Sequence, residues 1–280
     1  MTGQQLRHIV VPIDFSPHSG AAVRWAAYWQ EQTGAQVTVL HCRQFEAPPT
    51  FTLDQVDALA QQAARSEAEI SKEVAAFVEQ QVGHAVAWDI RVQEGDPVQL
   101  ILEQCDCADL VIMGTHGRHG LQRWMLGSVA ESMLHAAKSP VLVVHQAAEP
   151  PHLSRILVAI NHTERDAMAL HTAAEVAATF RADLFTVHVV EAHAQHAEHA
   201  PVPTSVNNLP LQHIERSGKP AEQLLTTAGE LGADLVVMSV TPKRFLEIAI
   251  LPPTITQVLQ FGAVPVLVLP TAVTAKGGQS

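Results

Sequence analysis

The sequence predicts an α/β protein built as two tandem open-sheet α/β/α domains with five mainly parallel strands each. Three observations carry that prediction. The chain has 280 residues, which at about 150 residues per domain fits two domains. Short, nearly all-apolar runs alternate with helical stretches, the pattern of an open parallel sheet. And the chain repeats itself, each strand of the first half having its echo in the second.

In the first half the apolar runs are 8–13, 36–42, 86–92, 109–113 and 140–145. They are apolar throughout instead of alternating, as expected of strands covered on both faces. Helical composition and spacing mark 18–33, 54–82, 97–106 and 125–137 between them. The repeat aligns Arg7-His-Ile-Val-Val-Pro-Ile-Asp14 with Arg155-Ile-Leu-Val-Ala-Ile-Asn161, and Val37-Thr-Val-Leu-His41 with Leu184-Phe-Thr-Val-His188. Gly95-Asp-Pro97 corresponds to Gly218-Lys-Pro220, Ala108-Asp-Leu-Val-Ile-Met113 to Ala233-Asp-Leu-Val-Val-Met238, and Ser139-Pro-Val-Leu-Val-Val144 to Val264-Pro-Val-Leu-Val-Leu269. The expected domains are therefore 1–147 and 153–272, joined by a linker from Gln146 to Ser154 that contains Pro150-Pro151. The interval from His41 to Gly95 exceeds that from His188 to Gly218 by about 24 residues. The missing piece corresponds to the long helix 54–82, so the second domain is expected to lack a full second helix.

Composition narrows the function. Hydrophobic residues at 47% and charged residues at only 16% oppose a disordered chain. Acidic side chains outnumber basic ones 28 to 17, for a formal charge of −11, which speaks against a nucleic-acid partner because phosphate neutralisation calls for a basic surplus. No signal-peptide pattern opens the chain, and no run approaches the roughly 18 apolar residues that cross a bilayer. Cys42, Cys105 and Cys107 are too few for a disulfide framework and read as reduced thiols, pointing to the cytoplasm.

In open α/β sheets ligands sit beyond the carboxyl ends of the strands. That directs attention to Asp14, after the first strand, and to Met113-Gly-Thr-His-Gly-Arg-His-Gly120-Leu-Gln-Arg-Trp-Met-Leu-Gly127-Ser128-Val129, after the fourth. Gly114 and Gly117 free the backbone for positive φ and close approach to a ligand, and successive N–H groups in such a turn form an anion-binding nest. Gly127-Ser128 opens the next helix, whose first N–H groups suit a phosphate. His116, Arg118, His119 and Arg123 add cationic character. The same residues also admit a purely structural reading. Ser128-Val-Ala-Glu131 has the form of a capping box, and Asp14 that of a strand-end turn residue.

Gly114-x2-Gly117-x9-Gly127-Ser128, between an Asp-Leu-Val-Ile-Met strand and Ser-Pro-Val-Leu-Val-Val, resembles the ATP-binding signature of the universal stress protein family. Val-Val-Pro12-Ile-Asp14-Phe-Ser16 resembles that family's first strand, and Val-Leu-His41-Cys42 the end of its second. The resemblance runs once through each repeat. It implies the adenine nucleotide alpha hydrolase-like, Rossmann-like fold, with adenine and ribose contacts from Pro12, Ile13, Asp14 and the backbone near Cys42. It further implies phosphate contacts from Gly114, Gly117, Gly127, Ser128 and Val129, with Met113, Thr115 and His116 lining the loop. ATP, with Mg²⁺ as a companion, is the expected ligand. Pairing of the two domains through their last strands, 140–145 and 264–269, is implied too, as is a homodimer and an unidentified protein partner.

The second half departs from the signature. Asn161 replaces Asp14, Ser239 replaces Gly114, Pro242-Lys-Arg-Phe245 stands in the Gly117 region, and Pro252-Pro253 replaces Gly127-Ser128. Proline has no N–H to donate, although Thr254-Ile-Thr-Gln257 keeps the form of a capping box. One nucleotide per chain, in the first domain, is expected. His193, His196 and His199 form a spaced run that could ligate a zinc-like metal or simply be solvated. His41 and His188 read as hydrogen-bonded or packing histidines, and Trp25, Tyr28 and Trp29 as helix–sheet packing. The leading expectation is a non-catalytic, ATP-binding stress-response regulator. The alternatives are a slow ATPase or phosphotransferase recruiting His116 or His119, and a scaffold without nucleotide that acts through its surface or a His-bound metal. No Walker-type Gly-x4-Gly-Lys-Ser/Thr supports the enzyme.

Overall fold

The apolar runs become strands in the computed structural model, which describes residues 6–43, 53–116, 126–145, 151–161, 166–190, 202–240, 243–245 and 248–270. The first half runs β1 (His8–Ile13), α1 (Pro17–Thr33), β2 (Gln36–Arg43), α2 (Leu53–Val82), β3 (Asp89–Glu94), α3 (Pro97–Cys105), β4 (Leu110–Gly114), α4 (Ser128–Ala136) and β5 (Val141–Val144). The second runs β6 (Arg155–Ile160), α5 (Asp166–Phe180), β7 (Asp183–Val190), β8 (Ser205–Val206), β9 (Leu209–Ser217), α6 (Pro220–Leu231) and β10 (Leu235–Val240). It closes with β11 (Lys243–Phe245), β12 (Ile248–Ile250), α7 (Pro253–Phe261) and β13 (Val266–Pro270).

The strand order β3-β2-β1-β4-β5 is all parallel, and β9-β7-β6-β10-β13 repeats it. The two sets are not separate sheets. β5 pairs antiparallel with β13, Leu142 opposite Leu267, which makes one 11-stranded sheet. One departure from the apolar pattern is β3, which starts at Asp89, lies at the sheet edge and is only partly covered.

Two cores lie on the two faces of the sheet, and each draws residues from both halves. One gathers Val23 and Trp25 of α1, Val74 and Val78 of α2, and Ala173 of α5. The other gathers Ile101 of α3, Met133 of α4, Leu224 of α6 and Val258 of α7. The α1 aromatics serve this packing: Tyr28 and Trp29 stack on Phe180 at centroid distances of 5.2 and 4.9 Å, and Leu153 N–H donates to the Tyr28 hydroxyl at 3.1 Å.

Several repeated residues have structural work. Asp109 accepts the N–H groups of Arg7 and His8 at 2.9 and 3.0 Å, and Asp234 those of Ser154 and Arg155 at 2.7 and 3.0 Å. Each Ala-Asp-Leu-Val motif thus anchors the start of the first strand of its half. Gly95 and Gly218 take φ of +149° and +136°, which explains glycine before α3 and before α6. The halves differ between β7 and β9, where 205–210 form a hairpin with Asn207 and Asn208 at φ +49° and +65°. The described residues there include no counterpart of α2. A second hairpin, β11–β12, stands in the region of the glycine segment and was not anticipated from the sequence.

Candidate functional site

The strand order reverses between β1 and β4, so a crevice is expected at their carboxyl ends. The ladder there stops early. β1 pairs with β4 only at Ile9–Leu110 and Val10–Val111, although β1 continues to Ile13 and β4 to Gly114. Pro12 has no N–H to extend it. In the second half Ala159 stands at that position, and β6 pairs with β10 one residue further, through Val158–Val237.

Asp14 follows β1 and accepts the Ser16 N–H at 3.0 Å, while Ser16 caps α1 by accepting the Ser19 N–H at 3.2 Å. Phe15 between them is held at φ +62°, a conformation that costs a non-glycine residue about 1–2 kcal/mol. It is wedged against His41 and Phe77, with ring centroids 4.8 and 5.3 Å away. His41 Nδ1 donates to the Ile13 carbonyl at 3.0 Å, and His188 does the same to Ile160 at 3.1 Å, so both repeated histidines are strand-end hydrogen-bonding groups. The side chains of Ile13 and Met113 are buried in the two cores. Cys42 packs against the second core, and its thiol is pushed up to about 11 by burial and then by the Asp96 charge.

Gly114 is explained differently from the expectation. Its φ is not positive. A Cβ there would lie 2.7 Å from His18 Cβ and 2.8 Å from the His18 backbone carbon, so glycine lets the end of β4 meet the first turn of α1. Next to it Thr115 is fully buried and donates its N–H to Val144 at 3.0 Å. Its carbonyl accepts the Gly127 N–H at 2.8 Å. The Gly127 N–H expected to reach a phosphate is therefore committed to closing the base of the loop.

Ser128 is not a cap. Gly127 occupies the N-cap position at φ −62°, ψ 143° with no side-chain cap bond, and Ser128 is the first helical residue, so the capping box does not form. Glu131 N–H returns to the Gly127 carbonyl at 2.9 Å. By helix geometry the N–H groups of Ser128, Val129 and Ala130 have no intrahelical acceptor, and they sit at the positive end of the α4 dipole. The Thr254 capping box is absent as well, because Pro252 is the N-cap of α7 and Pro253 its first residue. There the Ile255 N–H is already bonded to the Pro252 carbonyl at 3.1 Å. Among the described residues, one half opens its helix with three N–H groups that lack an intrahelical acceptor, and the other with two prolines.

The structure adds two histidines that sequence reasoning did not select. His18 stacks on His116 at a centroid distance of 5.1 Å, and His145 follows β5. Their one sequence signal is position, since each lies within a few residues of a strand end or helix start at the same edge of the sheet. His116 Nδ1 is 3.0 Å from Thr115 Oγ1. Gly117, Arg118, His119, Arg123 and Trp124 lie outside the described residues, as do His193, His196 and His199. Among the described residues no group of three His, Cys, Asp or Glu side chains forms a metal site. No described helix is long and apolar enough to cross a membrane.

The model of the universal stress protein family matches residues 5–145 and 207–270, well over half of the chain. A universal stress protein of Mycolicibacterium smegmatis is 29% identical over 188 residues, 65% of this chain and 63% of that one. One of Mycobacterium tuberculosis is 32% identical over 142 residues, 50% of this chain and 45% of its own length. The chain thus spans about half to under two thirds of these relatives. A crystal structure of a universal stress protein from Archaeoglobus fulgidus superposes with a TM-score of 0.72 at 22% identity, covering 96% of this chain and 100% of that one. That likeness concerns the fold.

Proposed function

The chain belongs to the universal stress protein family, and from that premise we propose that its first half binds an adenine nucleotide, ATP foremost, as a regulatory ligand without efficient turnover. The observation that carries the reading is the contrast between the two helix starts. In the first half the N–H groups of Ser128, Val129 and Ala130 have no intrahelical acceptor, and the Gly127–Thr115 bond ties this helix start to the end of β4. In the second half Pro253 removes the first of these donors and Pro252 removes the tie. Nucleotide occupancy is accordingly one per chain. Pro12, Ile13, Asp14 and the Cys42 backbone are the proposed adenosine side, and Gly114, Gly117, Ser128 and Val129 the phosphate side.

On this reading the halves 1–147 and 153–272 are two domains joined through the β5–β13 pair, so that ligand in one half alters a surface shared with the other. Such a ligand acts only through its different affinity for two states of the protein. Free cysteines, with Cys105 buried, fit a cytoplasmic setting. The test is the nucleotide released on denaturing the purified chain, identified by chromatography and counted per chain, together with uptake of added ATP with and without Mg²⁺. Close to one adenine nucleotide per chain is expected, lost in Gly117→Val. A chain that is empty and takes up no ATP overturns the reading.

A further inference from the structure

Three imidazoles gather where β4 and β5 end. His18 enters from the first turn of α1 and His116 from the residue after Thr115, with ring centroids 5.1 Å apart. His145 reaches across to α7, its Nε2 2.8 Å from the Leu259 carbonyl. Each ring has one nitrogen that is shielded from solvent and has no hydrogen-bond partner among the described residues: Nδ1 of His18, Nε2 of His116 and Nδ1 of His145. A buried polar atom left unpaired costs stability, and such atoms mark places where a ligand completes the bonding.

The tautomer of His145 is dictated by its partner. A carbonyl only accepts, so Nε2 carries the hydrogen, and the neutral ring presents a bare lone pair at Nδ1. Burial, and next the neighbouring His116, hold His145 below the ordinary imidazole value against the upward pull of the Leu259 carbonyl. His18 is lowered by burial first, then by His116 and His145, with Asp14 pulling the other way. His18 and His145 therefore resist positive charge in the unliganded protein, and an entering anion reverses that balance. No described trio is compact enough to grip one metal ion. A chain of phosphates extends over several ångströms and suits donors set apart along one edge of the sheet.

We propose that His18, His116 and His145 receive the terminal phosphates of the nucleotide, and that His145 takes up one proton from solvent as they bind, turning its bare Nδ1 into a donor. This rests on the nucleotide reading of the same crevice and assigns the number of phosphates, not the base, as what the cluster senses. Binding of ATP then tightens on acidification through the imidazole range, while binding of adenosine does not.

The experiment is titration calorimetry of the full chain with ATP and with adenosine between pH 6.5 and 8, in two buffers of different ionisation enthalpy. Wild type is compared with His145→Gln, which keeps an N–H for Leu259. ATP's own last proton, with a pKa near 6, is common to both proteins and cancels in the comparison. Wild type is expected to take up as much as one proton more per ATP than the variant. The variant should lose about tenfold in ATP affinity, the order of a charge-assisted hydrogen bond, with adenosine affinity unchanged. Equal proton uptake in the two proteins overturns the histidine role and leaves the nucleotide site standing. Failure of wild type to bind ATP overturns the nucleotide reading itself. His145→Asn, which also keeps an N–H, is measured in the same way and carries the test if His145→Gln does not fold.

Discussion

Replacing Gly127 with proline separates the cradle from the fold. Gly127 sits at φ −62°, ψ 143°, and Pro252 takes the matching place in the second half at φ −56°, ψ 136°, so the backbone at 127 already suits a proline ring. What is lost is one hydrogen bond, the 2.8 Å link to the carbonyl of the fully buried Thr115. Leaving that carbonyl unpaired costs about 1–3 kcal/mol, and stiffening the unfolded chain by a glycine-to-proline change returns about 0.4–1 kcal/mol. The net cost is about 0–2.5 kcal/mol, a fall in Tm of several degrees at most. Nucleotide affinity should fall far more in proportion, by tenfold or beyond, because the start of α4 is no longer tied to the end of β4. Calorimetric titration with ATP and a thermal melt of the same sample read the two effects separately. Gly127→Ala is the control, since it keeps both the N–H and a φ that alanine adopts freely. Equal affinity in Gly127→Pro and wild type would refute the argument. So would an equal loss in Gly127→Ala, which would make clearance for a ligand, and not the tie, the role of this glycine.

Further outcomes follow from other contacts. Gly114→Ala places a Cβ 2.7 Å from His18 Cβ and 2.8 Å from its backbone, and should destabilise the protein by about 1–3 kcal/mol in urea unfolding, the usual cost of overpacking. Asp109→Ala and Asp234→Ala each remove two bonds to strand-start N–H groups. Each should cost about 1–3 kcal/mol, and as the sites share no partners the double variant should show the sum within about 0.5 kcal/mol. The folded His18 and His145 titrate below the unfolded imidazole value of 6.5, so the unfolded chain binds more protons in that window. Stability of the unliganded protein is then full above pH 6.5 and falls as pH drops through and below it. Melts from pH 7.5 to 5.5 should show that slope, flattened in His145→Gln and His18→Asn.

Much of this molecule is local and so was legible along the chain. Uniform apolar runs separated by helical stretches specify a doubly covered parallel sheet wherever they occur, and the repeat of Ala-Asp-Leu-Val and Gly-x-Pro at matching places specifies the same strand order twice. The proline pair at 252–253 declares the loss of two donors without any coordinates, because a missing N–H is a property of the residue. Other features were not legible. Gly114 owes its identity to His18, which is remote in sequence and touches it only because α1 crosses the end of β4. Ser128 has the composition of a cap, yet the helix starts one residue earlier than the motif implied, with Gly127 at the cap position and its N–H drawn to Thr115. His18 and His145 carry no motif, and their meeting with His116 needs three strand and helix ends to converge on one edge. The sequence by itself determined the elements, their order and which half kept its donors, because propensity and the presence of an N–H are set residue by residue. Only the tertiary structure decided that β5 and β13 close two sheets into one, and which buried ring nitrogens lack partners among the described residues, because those outcomes depend on atoms that the chain brings together from far apart.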